Sequence, residues 1–408
     1  MDQKLFKYAD LLVRAGGNVQ PGQPVVISSD VADAGFARLV SECAYNAGAS
    51  EVVIDWTDEL SARMKYLRAS DEVFDMFPPW RTDRFKYYDD RNAVYLHILS
   101  SDPDLLQGVE PGRIKRATKV MREGTKAHRA VTMTNERRWS LAAVPSPKWA
   151  AKVFPELAEK EAVEKLWGLI FKGARADGEN PVKDWEAHRN NFLKRVDYLN
   201  ETQFSALKFK NSLGTDLYLP LIEKHIWVGG GAVGRDGVPF FPNMPTEEIF
   251  TMPARIGAEG RVVASLPLSY QGSLIEGFWF EFKNGRVTDF GAEKNADSLK
   301  LIVDMDEGSR FLGEVALISN NSPIAQMKTL FYETLFDENA SCHLALGKAY
   351  PYNLAGGCDM TERELAEAGA NDSLLHVDFM FGTEDMSIIG IEPSGTEKAV
   401  MEKGEFCI

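Results

Sequence analysis

The sequence predicts an α/β plus α+β chain. An N-terminal open α/β layer with a mainly parallel sheet is expected over residues 1–183. A C-terminal, mixed and mainly antiparallel α+β domain is expected over 184–408. Three observations carry this. The 408 residues exceed what one ordinary core organises. The first half alternates short apolar runs with stretches of helical periodicity, the pattern of parallel strands joined by helices. The second half instead shows period-two alternation and a hairpin turn, which belong to antiparallel pairing.

In order, Leu5, Ala9 and Leu12 share one face of a helix over 2–15, which Gly16-Gly17 stop. Pro24–Ser28 is an apolar strand, 33–47 a helix and Glu51–Trp56 a second strand. Asn92–Ile98 and Arg138–Val144 read as further strands with helical stretches between them. Ala174–Pro181 is a linker, followed by a helix with Trp185, Phe192, Val196 and Leu199 at helical spacing. Leu207–Phe209 and Leu217–Leu219 alternate as half-buried strands do, and Phe278–Val287 turns at Asn284-Gly285. Helices are expected again near 323–348 and 361–368.

With 44% apolar and 26% charged residues, the composition is that of a globular protein and gives no ground for extended disorder. The N-terminal Met-Asp-Gln-Lys-Leu-Phe-Lys has no apolar h-region, so no secretory signal is expected. A bilayer span needs roughly 18 uncharged apolar residues, and no such run is present. The four cysteines lie far apart without a C-x-x-C pair, which argues against a disulfide framework or a thiolate zinc finger and suits a reducing cytoplasm. A net charge of −14 disfavours nucleic acid and anionic membrane as partners and permits a substrate bearing a positive amine.

The densest chemical signal is His376-x-Asp378 inside the apolar run Leu374–Phe381. Alternation in a strand puts His376 and Asp378 on one face and Leu375, Val377 and Phe379 on the other. An imidazole and a carboxylate side by side can support a divalent ion, or simply bond to each other in a core. His343 follows Asp337, Glu338, Asn339 and Cys342 in a similarly polar segment with an apolar continuation. Glu314 stands in an apolar strand, where a charge is either capped at the surface or held inward for a reason. Thr246-Glu247-Glu248 precedes Ile249-Phe250. Such a run is commonly a helix start or solvated turn, and it can also supply a ligand. Tyr350 can pack in a core or donate to a developing oxyanion. Together these suit Zn²⁺, Mn²⁺ or Co²⁺, including two bridged ions.

Gly229–Gly234 contains Gly-x-Gly-x-x-Gly, but Arg235-Asp236-Gly237-Val238-Pro239 cannot open the helix that a dinucleotide fingerprint requires. It is read as a flexible loop near the site. His97, His128, His188 and His225 lack metal-ligand spacing and are assigned to structure or surface.

Asn243–Glu248, Leu312–Leu317, Leu335–Gly347 and His376–Met380, in this order and spacing, strongly resemble the thermophilic aminopeptidase T family of metallopeptidases, M29. The resemblance runs over nearly the whole chain. It implies metal ligands at Glu248, Glu314, His343, His376 and Asp378, and a catalytic tyrosine at Tyr350. Glu338 is a further ligand or nearby acid, and either Glu247 or Glu338 shuttles a proton. The resemblance also implies two divalent ions, a peptide substrate with a free N-terminus, a cytoplasmic setting, and a homodimer with an enclosed cavity. One departure stands out. After Thr251-Met252-Pro253 relatives often have a histidine, where this chain has Ala254, which keeps a non-peptide amide substrate open. A catalytically silent binding protein on the same fold would show degraded ligand positions, and none is degraded.

Overall fold

A computed structural model describes residues 1–100, 102–270 and 272–408. The chain forms two compact units. One comprises Met1–Glu186 with Gly231–Pro245, the other Ala187–Gly230 with Thr246–Ile408.

The first unit is built on a five-stranded sheet. In spatial order its strands are Glu51–Thr57, Pro24–Asp30, Val94–Leu99, Trp139–Ala143 and Asn243–Met244. All four pairings are parallel. Helices Asp2–Leu11 and Ala34–Asn46 are amphipathic and bury Tyr8, Leu11, Phe36 and Val40. The segment 231–245, expected in the C-terminal half, belongs here. Asn243 and Met244 pair with Leu141 and Ala142, and the Phe241 amide donates to the Gly16 carbonyl. No local pattern in 231–245 encodes a pairing to strands so far back in the chain.

The second unit carries the mainly antiparallel architecture expected of it. An eight-stranded sheet includes Ala206–Lys210, Asp216–Pro220 and the hairpin Trp279–Lys283/Arg286–Gly291. A five-stranded sheet, in the order His376–Met380, His343–Gly347, Leu312–Leu317, Ile249–Thr251 and Val228–Gly229, is antiparallel throughout. Its apolar face joins a large core with Val315, Leu317, Leu344, Leu346 and Phe379.

Two expectations are corrected. Residues 323–348 are not mainly helical. They contain short turns, a four-residue helix Thr334–Asp337 and the strand His343–Gly347. Alanine and leucine favour helices, but that strand is paired on both sides, and tertiary pairing overrides propensity. The glycine-rich segment is not wholly a loop, because Val228–Gly229 forms the edge strand against Ile249 and Phe250. A Cβ at position 229 would lie 2.8 Å from the Glu248 carbonyl oxygen, so glycine there permits the close approach. Among the described residues, no helix is long and apolar enough to cross a membrane.

Candidate metal centre

Register across the five-stranded sheet places the site. Phe250, Ala316, His343 and Met380 face one another in one row, and Glu314, Ala345 and Asp378 form the next. Gly347 opposite His376 begins a third. Directly paired residues share a face, so histidines and acids from three strands project from one side while the other side is apolar. Between the ligand candidates lie Ala316, Ala345 and Gly347. These small residues put no more than a methyl group between the candidates on this face. Gly347 is also required by the backbone. Its φ is 107°, and a Cβ would meet the Leu375 carbonyl oxygen at 2.2 Å.

Two clusters result, and Glu314 belongs to both. Glu248, Glu314 and His343 bring one ligand atom each to within 4.8 Å of one another, as do Glu314, His376 and Asp378. The first cluster is buried, and His376 and Asp378 of the second are half-buried. His343 Nε2 lies 3.2 Å from Glu248 Oε2 and 3.5 Å from Glu314 Oε1. His376 Nε2 lies 3.4 Å from Glu314 Oε2 and 3.2 Å from Asp378 Oδ1.

The opposite ring nitrogens are committed elsewhere. His376 Nδ1 donates to the Lys348 carbonyl at 2.7 Å, and His343 Nδ1 to the Ser341 carbonyl at 3.4 Å. This orients both rings with Nε2 toward the carboxylates. In a neutral imidazole with Nδ1–H, Nε2 is an acceptor facing acceptors. Only a cation or a bound proton between them relieves the conflict.

The electrostatics agree. Burial pulls the His343 and His376 imidazoles down, but their carboxylate neighbours outweigh it and hold both well above the ordinary range. Burial raises the Glu248 carboxyl, and Glu314 and Asp378 add to the rise. Burial also acts on Asp378, yet His376 and His343 keep it below its usual value. Glu338, half-buried, is raised well above its usual value by burial and then by Glu248 and Asp378. Among the described residues, no lysine or arginine pairs with Glu248, Glu314, Glu338 or Asp378. Carboxylates held together with imidazoles and without thiolates are the donor set of a hard or borderline divalent ion, so the site fits such a group.

Glu247 faces His188. It is buried, its amide donates to Asn339 Oδ1 at 2.6 Å, and its Oε2 lies 4.0 Å from His188 Nε2. Tyr350 borders the site, with its ring centroid 4.7 Å from that of His376. Ala254 lies in a separate apolar cluster with Ile222, Met252, Ala349 and Leu354. Sequence reasoning missed three residues. Phe250 stands on the site face, Tyr352 stacks on Tyr350 (centroids 5.4 Å, 10° between planes), and Asn353 donates to the Phe250 and Ile226 carbonyls. The Tyr350-x-Tyr352 spacing was the available signal.

The sheet, the paired acids and the oriented imidazoles make a candidate site for a divalent metal ion. The comparisons make the class specific. The family model "Thermophilic metalloprotease (M29)" matches residues 1–406. The chain is 44% identical to Aminopeptidase AmpS of Bacillus subtilis (strain 168) over 406 residues, 99% of this chain and 98% of that protein. It is 41% identical to Aminopeptidase 2 of Geobacillus stearothermophilus over 405 residues, with the same coverage of 99% and 98%. The solved structure of wild-type AmpT from Thermus thermophilus matches with a TM-score of 0.94 at 38% identity, covering 100% of both chains. The chain belongs to the M29 metalloprotease family.

Proposed function

We propose that this metal-dependent aminopeptidase works with two divalent ions, Zn²⁺, Mn²⁺ or Co²⁺, on peptides with a free N-terminus. Glu248, Glu314 and His343 would hold one ion. Glu314, His376 and Asp378 would hold the other. The carrying observation is that both Nε2 atoms face carboxylate oxygens shared through Glu314, at 3.2–3.5 Å. When bound, the ions supply Lewis acidity and bring the pKa of water toward neutrality.

The chain's own groups do the rest. Glu338 lies within electrostatic reach of Glu248, Asp378, His343 and Glu314, and its raised proton affinity suits it to carry a proton from water to the leaving amine. Glu247, directed toward His188, is the weaker candidate for that role. The Tyr350 phenol, held protonated by burial and by Glu314, donates to the developing oxyanion. With its ions bound, the centre would take the substrate's free α-amine as the neutral base, which fits exopeptidase action.

We place the working enzyme in the cytoplasm as a homodimer. Free cysteines, two buried and two exposed, suit a reducing compartment. Leu60, Met64 and Leu67, at helical spacing on Glu59–Arg68, are all at least 47% exposed and offer apolar area for a second copy.

Purified protein should bind two ions per chain by elemental analysis and hydrolyse leucyl and other aminoacyl anilides. Chelation should abolish turnover and lower Tm, since an ion bound at 100 times its Kd contributes about 2.7 kcal/mol. If protein reconstituted with each of the three metals cleaves none of these anilides, the aminopeptidase reading fails.

A further inference from the structure

We propose that Phe250, Tyr350 and Tyr352 form the wall that receives the side chain of the peptide's first residue, with Tyr352 setting a preference for large apolar and aromatic residues. This rests on the aminopeptidase reading above.

The three rings make one arrangement. Tyr350 and Tyr352 stack in parallel, and Phe250 presents itself edge-on to both, with centroids 6.3 and 6.2 Å away and planes at 73° and 80°. Core aromatics of this sheet, such as Phe379 and Phe381, are at most 1% exposed. These three instead keep solvent-facing area beside a charged cluster, although they are large enough to be buried. An apolar surface held open next to carboxylates is an unfavourable arrangement in water unless something covers it.

The wall is also built to hold its shape. The Asn353 side chain is buried and donates to the Phe250 carbonyl at 3.3 Å and the Ile226 carbonyl at 3.1 Å, tying the tyrosine loop to the Phe250 strand. Its position matches the chemistry. The α-amine and first side chain of a peptide branch from one carbon, so their receptors must adjoin. The Tyr350 ring lies against His376, with centroids 4.7 Å apart, and Tyr352 stacks on Tyr350. An α-amine taken at this centre therefore leaves its side chain against the rings, whose faces favour flat or branched apolar groups.

The test compares kcat/KM for Phe-, Leu-, Ala- and Glu-p-nitroanilides. Tyr352→Ala should lose about tenfold or more on Phe and Leu and less than about threefold on Ala, collapsing the preference. Tyr352→Phe should keep it, because the ring and not the hydroxyl does the selecting. Metal content and Tm are measured for each variant. If Tyr352→Ala does not fold, Phe250→Leu serves, with the same selective loss expected. Equal losses on all four substrates overturn the proposal. So does a Tyr352→Phe variant as damaged as Tyr352→Ala. A wild-type enzyme that cleaves Phe, Leu and Ala substrates equally well sinks this inference alone. One that cleaves none of the four sinks the aminopeptidase reading with it.

Discussion

In the N-terminal unit, His128 Nδ1 on helix Lys126–Met133 lies 3.0 Å from both oxygens of Asp89 on helix Pro79–Asp90, and Tyr95 Oη on strand Val94–Leu99 donates to the same carboxylate at 2.7 Å. Nearby, Arg84 pairs with Asp55. On the antiparallel sheet of the other unit, His343 and His376 likewise meet acids at hydrogen-bond range. Residue types are alike, but the charge balance is not. In the first cluster each carboxylate meets a donor of the protein's own, whether phenol, imidazole N–H or guanidinium. In the second, three acids converge on two imidazoles that have already spent their Nδ1 protons on main-chain carbonyls. A histidine beside an aspartate is thus not informative by itself. A deficit of donors around the pair is what distinguishes a cation site from a structural network.

The largest effect expected from this contrast is at the shared acid. Glu314→Gln should reduce kcat/KM by about a thousandfold or more, because it disturbs both ligand sets. Elemental analysis should show metal lost from a folded protein, and full metal content with full activity would refute the shared role. Next in size, Tyr350→Phe should lower kcat by about 10²–10³ with metal content unchanged, the effect of losing one oxyanion donor. A change in KM alone would remove the phenol from catalysis.

The smallest effect concerns His97, which lies near His128 on the N-terminal sheet. Burial, reinforced by His128, pushes its imidazole down to about 4 from an ordinary 6.5. The neutral form is therefore favoured by the fold. As pH falls from 6.5 toward 4, the unfolded chain gains a proton that the folded chain resists, and stability is lost across that window. The loss should amount to about 3 kcal/mol. His97→Gln should flatten it in urea titrations at several pH values. An unchanged pH slope would show that another group is responsible.

Much of the site was legible because strand alternation is a local rule. His376-x-Asp378 projects from one face as its spacing predicts, and Glu314 sits inward in an apolar strand. Leu344–Leu346 misled because the residues carry helical propensity, while the decision lay with partners 30 residues away on either side. Segment 231–245 misled for the same reason, since its pairing partner is Leu141-Ala142. The direction of Glu247, toward His188, follows from a fold that brings residues 188 and 247 together. Phe250 and Asn353 carry no local signature, because one acts through its place in a row and the other through two carbonyls of separate segments.

The small residues Ala316, Ala345 and Gly347 have a consequence for how such an enzyme can change over time. An ion needs volume as well as donors, and three positions on this face carry no more than a methyl group to compete for it. A larger aliphatic residue at 345 would suit a sheet and leave every histidine and acid in place, yet it would rise between Glu314 and Asp378. Descendants of this chain could therefore fall silent with an intact ligand signature, and a scan of ligand positions alone would pass them as active.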